Sequence, residues 1–290
     1  MVPPFRSLYG MMVTTMSQEE SPEASGNGDT KGTSVIVNAI AVLRTFTADE
    51  PLLGVTEIAT RVGLHKSTVS RILSTFEQEN LVERDAETRR FRLGLGLIAV
   101  AGPLLAELEE RRVAYPVLRE LTEQTGETSA LMVWNGSESM CVEQIASPQQ
   151  IKHTTPLGAR YQDAMSASVQ VFLSTEPAER VRALLRSGAI TYPGLDDANL
   201  EGYQIKLGDV GHRGWAINYG ESSIDEVGVA APVHDHRGNV VAAVLIPAPR
   251  FRVSPDRLQS LGEACAAAAF RITSRLGGRA PTDSEQAGRR

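Results

Sequence analysis

The sequence is poor in several residue types that mark particular classes of protein. Aromatic residues make up only 5% of its 290 positions, and the two cysteines, Cys141 and Cys265, lie far apart in apolar segments. This excludes a secreted scaffold held by disulfides and leaves no cysteine spacing for a zinc site. Positive charge is also scarce. The formal net charge is -6, so contact with nucleic acid would require a local basic patch.

Long apolar runs are missing as well. The N-terminal stretch has no unbroken apolar core of signal-peptide length, and no later run approaches the roughly 20 residues that cross a bilayer. We therefore expect a soluble, cytoplasmic protein with no membrane partner. Residues 17–33 are polar and almost without large apolar side chains, and we expect residues 1–33 to be disordered. We expect the same of residues 278–290. The length between the tails allows two domains with separate cores.

Residues 34–93 have the pattern of a small helical domain. A period of 3.6 in the apolar residues predicts one helix over residues 35–46 and a short one over residues 56–62. Gly63 follows, at the position where a left-handed residue commonly ends a helix, so the turn should be sharp. A further helix begins at Lys66. This order predicts a helix-turn-helix, the motif that places its second helix in the major groove of DNA.

The helix that begins at Lys66 separates an apolar face from a polar, cationic one. Val69, Ile72, Leu73 and Phe76 recur at i, i+3, i+4 and i+7, and we expect them to face inward. The outward positions carry hydroxyls and a guanidinium, with no acid before Glu77. An ordinary amphipathic helix more often mixes charges of both signs in i,i+4 pairs. An acid-free surface can instead lie against phosphates.

A hairpin is predicted after that helix. In "LVERDAETRRFRLG", apolar and charged residues alternate around a polar turn. The arginines concentrate positive charge, which favours a wing that holds phosphates, although a solvated hairpin balanced by its own acids is an alternative. The residues that we expect at DNA are Thr56, Lys66, Ser67, Thr68, Ser70, Arg71, Thr75, Arg84, Arg89 and Arg90.

The rest of the chain combines helical segments with strands, in which apolar residues recur with a period of two. Residues 94–111 are helical in pattern and form a linker, in which Gly102-Pro103 should introduce a kink or a break. A helix that ends at Gly126 follows, and then strands on either side of Asn135-Gly136. Further strands and a closing helix complete an α+β domain over residues 112–277.

Together these segments resemble the IclR family of bacterial transcription regulators. The first half is similar in the order of its helices and in "LVERDAETRRFRLGLGLI", the second in "TGETSAL", "PLGAR", "AAPVHDHRGNVVAAV" and "RITSRLG". The resemblance covers about residues 35–277. It implies a winged helix-turn-helix domain joined by a linker helix to a GAF-like α/β effector-binding domain. It also implies a homodimer or dimer of dimers that binds double-stranded DNA and a small-molecule effector.

The sequence departs from the family where family members bind small carboxylates. An aspartate, a cysteine and two serines are replaced by Asn218, Gly228, Leu245 and Pro247, and each change removes a charge or a hydrogen-bonding group. Buried polar ligand atoms need partners, so we expect an effector of low polarity, aromatic or aliphatic. The residues expected near it are Met132, Trp134, Gly158, Ala159, Met165, Ser166, Asn218, Gly228, Leu245 and Pro247.

Several alternatives stay open. Core packing would equally explain Met132, Trp134 or Met165 taken singly.

Two further departures from the family pattern concern helices. Val169 and Gln170 replace a family Gly-Lys pair, and the glycines at 202, 208 and 211 should loosen the family's helix over residues 196–213.

The effector domain could also be only a structural dimerisation unit. An enzyme is the least favoured class, because we find no nucleophile elbow and no Gly-rich phosphate loop. His234 and His236 lack a third metal ligand, so we expect no cofactor and no metal.

Overall fold

The structure is a computed structural model that describes residues 29–47 and 50–278, with the backbone alone at residues 29–33 and 105–107. It divides into two compact units, residues 1–100 and residues 101–290. The division falls inside the segment that we assigned to a linker. The predicted tails lie largely outside the described residues.

The first unit consists of three helices and a hairpin, followed by the start of a fourth helix that continues past its boundary. The elements are α1 (Asp29–Leu43), α2 (Val55–Val62), α3 (Lys66–Gln78), β1 (Val82–Arg84), β2 (Phe91–Leu93) and α4 (Gly96–Glu107). The first turn of α1 lies in the segment that we expected to be disordered. The remainder of that segment, residues 1–28, lies outside the described residues.

The core of the first unit joins its three helices to the hairpin. Val42 of α1, Ile58 of α2, and Val69 and Leu73 of α3 are fully buried, and Phe91 of β2 packs against them. These are inward positions that the period of 3.6 predicts. Because the core takes one face of α3, the opposite face of that helix is left to solvent.

The second unit is a six-stranded antiparallel sheet with helices on both faces. Its strand order is β5-β4-β3-β8-β7-β6. The elements are α5 (Glu109–Thr125), β3 (Ser129–Trp134), β4 (Ser139–Ile145), β5 (Arg160–Tyr161), α6 (Ala167–Leu173), α7 (Ala178–Arg186), α8 (Asp197–Arg213), β6 (Ala216–Tyr219), β7 (Glu226–His234), β8 (Val240–Pro249), a 3₁₀ turn (Arg250–Arg252) and α9 (Pro255–Arg275). The predicted α+β class is confirmed.

Side chains alternate between the two faces of the sheet, as the strand period requires. Along β8, Val244 and Ile246 pack in the core under α5 and α9, whereas Ala243 and Leu245 pack in a second cluster with α6. The larger core holds the sheet to α5 and α9. The face toward α6 carries residues that the sequence predicts near an effector.

Two expectations about helices are corrected. The linker does not break at Gly102-Pro103: α4 continues through Pro103, and the break falls at Leu108. Glycines do not prevent a complete helix over residues 197–213 either. Asp196 caps α8 by accepting a hydrogen bond from the amide of Asn199. The buried residues of α8 recur at helical spacing, so packing outweighs the cost of the glycines: Leu200, Tyr203, Leu207 and Val210.

Candidate functional site

The turn between α2 and α3 has the predicted geometry. Gly63 ends α2 with a φ of 66° and a ψ of 29°, the left-handed conformation that glycine adopts without strain. Ala59 is buried at the crossing of the two helices, where its small side chain permits close approach. His65 precedes the first turn of α3. The second helix is therefore set sharply against the first, as in a helix-turn-helix.

The outward face of α3 is hydroxyl-rich and cationic. Lys66, Ser67, Ser70, Arg71 and Thr75 are exposed, whereas Thr68 is half-buried. The hydroxyl of Thr75 donates to the carbonyl of Arg71, and the exposed Thr56 lies in the first turn of α2. Neither Lys66 nor Arg71 has an ion-pair partner anywhere in the described part of the chain. Their charges are therefore available to a ligand.

The arginines of the hairpin divide into two groups. Arg84 and Arg89 are exposed, and neither pairs with a carboxylate among the residues that the structure describes. Arg89 has a φ of 60° in a turn that Asp85 closes by accepting from the amide and hydroxyl of Thr88. These bonds hold the pKa of the Asp85 carboxyl below its usual range. The turn thus presents Arg89 at the tip of the hairpin.

Arg90 and Arg92 are engaged within the unit. Arg90 pairs with Glu57 of α2 and donates to the carbonyl of Leu52. Arg92 pairs with Glu83 on the neighbouring strand at 2.9 Å. The pKa of Glu57 is lowered, chiefly because its carboxylate accepts from the amide of Gly54 at 2.7 Å, with Arg90 adding to the effect. The prediction that Arg90 contacts DNA gains no support from this geometry, because its guanidinium ties the hairpin to α2.

The second unit brings most of the expected effector residues to one face of the sheet. Met132, Trp134 and Leu245 belong to the cluster under α6. A Cβ placed on Gly228 would point at Ala167 of α6, at 3.5 Å, and at the side chains of Asn218 and Leu245. Pro247 follows Leu245 by two positions and shares its face.

The remaining expected residues lie outside this cluster or at its edge, and Met165 packs against a different cluster, formed with α7 and α8. Met165 and Ser166 precede α6 directly, and Ala159 packs against the cluster from the loop before β5. Gly158 is exposed, with a φ of 81°. The α6-facing cluster thus combines apolar walls with few polar groups.

Most polar groups at this face are satisfied by the protein itself. The amide oxygen of Asn218 accepts from the backbone of Glu221 at 2.9 Å and of Ser222 at 3.2 Å. The hydroxyl of Ser139 donates to that of Ser168, which lies 3.3 Å from the hydroxyl of Ser166. These bonds fix a turn and a helix start, so the groups offer little to a polar ligand.

Gln170 is a buried polar residue that the sequence-based prediction of the effector site did not include. It is fully buried in α6, and its side-chain nitrogen donates to the carbonyls of Met165 at 2.7 Å and Ile217 at 3.0 Å. Its departure from the family pattern was the signal that could have identified it. Sequence alone did not reveal that its amide would bond to the carbonyls of Met165 and Ile217.

The thiols and histidines form no catalytic arrangement in residues 29–47 and 50–278. Burial raises the pKa of the Cys141 thiol to about 12 and also raises that of Cys265, so neither is a thiolate at neutral pH. No group of three or more His, Cys, Asp or Glu that could hold a metal occurs in that part of the chain. Within it, no helix has both the length and the apolar composition to cross a bilayer.

Comparisons with known proteins identify both units. The family described as "Bacterial transcriptional regulator IclR C-terminal" matches residues 102–274, and the "IclR helix-turn-helix domain" matches residues 35–86. The transcriptional regulator KipR of Bacillus subtilis is 27% identical, over 83% of this chain and 96% of that protein. The matched relatives are transcriptional regulators and not enzymes.

Solved structures agree with this assignment. A crystal structure of one domain of an IclR-family chain is 70% identical, covers 60% of this chain and 99% of its own, and has a TM-score of 0.59. An IclR homologue from Microbacterium hydrocarbonoxydans, complexed with 4-hydroxybenzoate, is 22% identical with a TM-score of 0.69. It covers 83% of this chain and 98% of its own. That likeness shows the fold alone.

Proposed function

This chain belongs to the IclR family of bacterial transcriptional regulators, and from that premise we propose that α3 reads operator DNA under the control of a small effector of low polarity. The observation that carries the DNA assignment is the outward face of α3. It presents Lys66 and Arg71 without acidic partners in the described part of the chain, on a protein whose net charge is negative. A groove-facing helix requires such a local patch.

The hairpin supports the same assignment. Arg84 and Arg89 have no carboxylate partner among the described residues, although Arg84 lies over the ring of Phe91. Phosphate contacts by such arginines fix the register of a protein on DNA. Arg71 is the residue expected at base edges, because it projects from the middle of the acid-free face. The regulator would act in the cytoplasm, where the bacterial chromosome lies.

A homodimer or dimer of dimers is part of the proposal. The described part of α1 exposes four large apolar side chains: Val35, Ile36, Val37 and Ile40. Exposed apolar patches of this kind favour a partner surface. Two copies would place two α3 helices on half-sites of a palindromic operator.

The effector assignment is supported by what the α6-facing cluster lacks. Leu245 and Gly228 contribute no hydrogen-bonding side chain, and the oxygen of Asn218 is used by its own turn. The indole N–H of Trp134 is the buried donor without a partner beside this cluster among the described residues, and one such group does not replace the hydration of a carboxylate. An aromatic or aliphatic compound fits this surface better. The effector can act only by binding one conformation of the regulator more tightly than another.

A second candidate is favoured by the same observation. If the cluster under α6 is only core, the second unit is a structural dimerisation domain that binds no effector. Thermal-shift screening of the full chain against aromatic and aliphatic metabolites separates the two. Stabilisation by such a compound, together with altered operator affinity, supports the sensor. Uniform absence of stabilisation supports the structural unit.

The DNA assignment is tested by selection of operators from random duplex DNA. We expect enrichment of a palindromic sequence that the full chain binds with strong dependence on salt. Recovery of sequences without any common motif would contradict the proposal. Turnover of a screened compound would instead favour an enzyme.

A further inference from the structure

A buried hydrogen-bond acceptor in the second unit has no donor among the described residues. It is the side-chain oxygen of Gln170, a residue that is fully buried in α6. A buried acceptor without a partner destabilises the fold, because it loses its hydration without gaining a donor. Native proteins satisfy most such groups, so each exception requires a reason.

The amide of Gln170 cannot satisfy its oxygen by turning over. Its nitrogen donates both hydrogens, one to the carbonyl of Met165 and one to the carbonyl of Ile217. A flipped amide would place its oxygen against those two carbonyl oxygens, which is repulsive. The orientation of the amide is therefore fixed, and its oxygen remains an acceptor without a donor among the described residues.

The position of Gln170 links this acceptor to the expected effector site. Gln170 lies one turn after Ala167, the residue that a Cβ on Gly228 would meet. It is bonded to the backbone next to Asn218 and to that of Met165. Of the residues assigned to the effector from sequence, Met165 thus bonds to this side chain directly, and Asn218 follows its other partner, Ile217, in the chain. A stacked pair, Trp134 and Phe172, adds an aromatic wall from β3 and α6.

We propose that the effector is an apolar compound with one hydroxyl or N–H group, which donates a hydrogen bond to the side-chain oxygen of Gln170. The inference rests on the proposed effector function and makes it more specific. The apolar cluster would bind the body of the compound, and Gln170 would select for the donor. A site built around a buried hydrogen-bonding group rejects ligands that lack the complementary group more strongly than an apolar surface rejects a change of size.

Matched pairs of small compounds test this proposal on the unmodified full chain. The probes are phenol, 4-methylphenol and cyclohexanol, each compared with its methyl ether, in thermal-shift and calorimetric titrations. We expect the hydroxyl compounds to bind about ten-fold more tightly than their ethers. Equal affinity within the pairs, or no binding by any hydroxyl compound, would overturn the proposal.

The variant Gln170→Met assigns the discrimination to this residue. It keeps the length of the side chain and removes the acceptor, so we expect the ratio of affinities within a pair to fall to about one. Gln204→Met is the matched control, because Gln204 also has a buried side-chain nitrogen without a partner but lies on α8. An unchanged ratio in Gln170→Met would refute the role of Gln170. If that variant does not fold, the compound pairs still decide the question.

Failure of this proposal is distinguishable from failure of the proposed regulator function. Operator selection without ligand depends on α3 and the hairpin and does not involve Gln170. A chain that selects an operator but shows no preference within the compound pairs would retain the regulator function and lose only the effector class.

Discussion

The two units of this chain treat their polar side chains in opposite ways. The first leaves Lys66, Arg71 and Arg89 exposed, with no carboxylate beside them among the described residues. The second buries Ser168, Gln170 and Asn218 and satisfies them almost entirely within itself. Exposed cations without ion-pair partners thus identify a surface that can bind a polyanion. A site for a small apolar ligand is indicated in the second unit by a buried acceptor without a donor, the side-chain oxygen of Gln170.

The arginines sharpen this contrast within the first unit. Arg90 and Arg92 belong to the same hairpin as Arg84 and Arg89, yet each is held by a glutamate of the unit. A count of basic residues would treat the four alike. Their ion pairs separate those that stabilise the fold from those that can reach phosphates.

The substitution with the largest expected effect is Arg71→Ala. Loss of a guanidinium at base edges should weaken operator binding by about 1–3 kcal/mol, or roughly 5- to 150-fold, and relax specificity at one position. Gel-shift titration against the selected operator measures it. The melting temperature should change little, because Arg71 is exposed and has no ion-pair partner in the described part of the chain. Unchanged operator affinity would contradict the placement of α3 in the groove.

A pair of buried glycines tests the packing of the second unit. A Cβ on Gly262 of α9 would lie 2.4 Å from the ring of Trp215, which is itself buried. We therefore expect Gly262→Ala to destabilise the unit by about 1–3 kcal/mol. Gly228→Ala is the control, since its Cβ would meet neighbours only at 3.5 Å and beyond. Urea unfolding measures both, and equal effects would contradict the packing at Trp215.

The hairpin provides a smaller effect on DNA binding. Arg89→Ala should lower affinity for all DNA sequences alike and reduce the slope of log affinity against log salt by about 0.9. Arg92→Ala is the matched control, because its charge is already paired with Glu83. Titrations at several salt concentrations give both slopes. A larger change for Arg92→Ala than for Arg89→Ala would reverse the assignment of the wing contacts.

The sequence predicted the first unit closely because its signals are local. The spacing of Val69 and Leu73 and the position of Gly63 each determine a feature within a few residues along the chain. The ion pair from Arg90 to Glu57 could not be predicted in this way. Its two residues lie in different elements, and only the folded hairpin brings them together.

The second unit was predicted less completely for the same reason. Alternating strands and the turn at Asn135-Gly136 were evident from the sequence. Gln170 acquires its role from carbonyls of Met165 and Ile217, the latter on a distant strand. Likewise, the burial of Leu200 and Tyr203 outweighs the glycines of α8, because tertiary packing outweighs helix propensity.

The smallest expected effect concerns two glutamates whose pKa values shift in opposite directions. In the first unit the pKa of Glu57 is lowered, mainly by the amide of Gly54 and also by Arg90. In the second unit burial raises the pKa of Glu226, which His153 partly offsets. The ionised form of Glu57 therefore stabilises its fold at neutral pH, and that stabilisation is lost as the pH falls through the lowered pKa. Ionisation of Glu226 has the opposite sign, and stability is lost as the pH rises through its raised pKa.

Substitution by glutamine should expose this difference. Glu57→Gln should lower the stability of α2 at pH 7, and Glu226→Gln should raise that of β7. The Glu57→Gln difference should shrink as the pH falls from the usual value for glutamate, about 4.3, through the lowered pKa of Glu57, whereas the Glu226→Gln difference should shrink earlier, as the pH falls through the raised pKa of Glu226 toward that usual value. Hydrogen exchange of the amides of α2 and of β7, measured for each variant across this range, reports the two units separately. Loss of charge should destabilise the site of a hydrogen-bonded carboxylate and stabilise that of a desolvated one. Effects of the same sign in both variants would therefore show that the environments of the two carboxylates do not differ in this way.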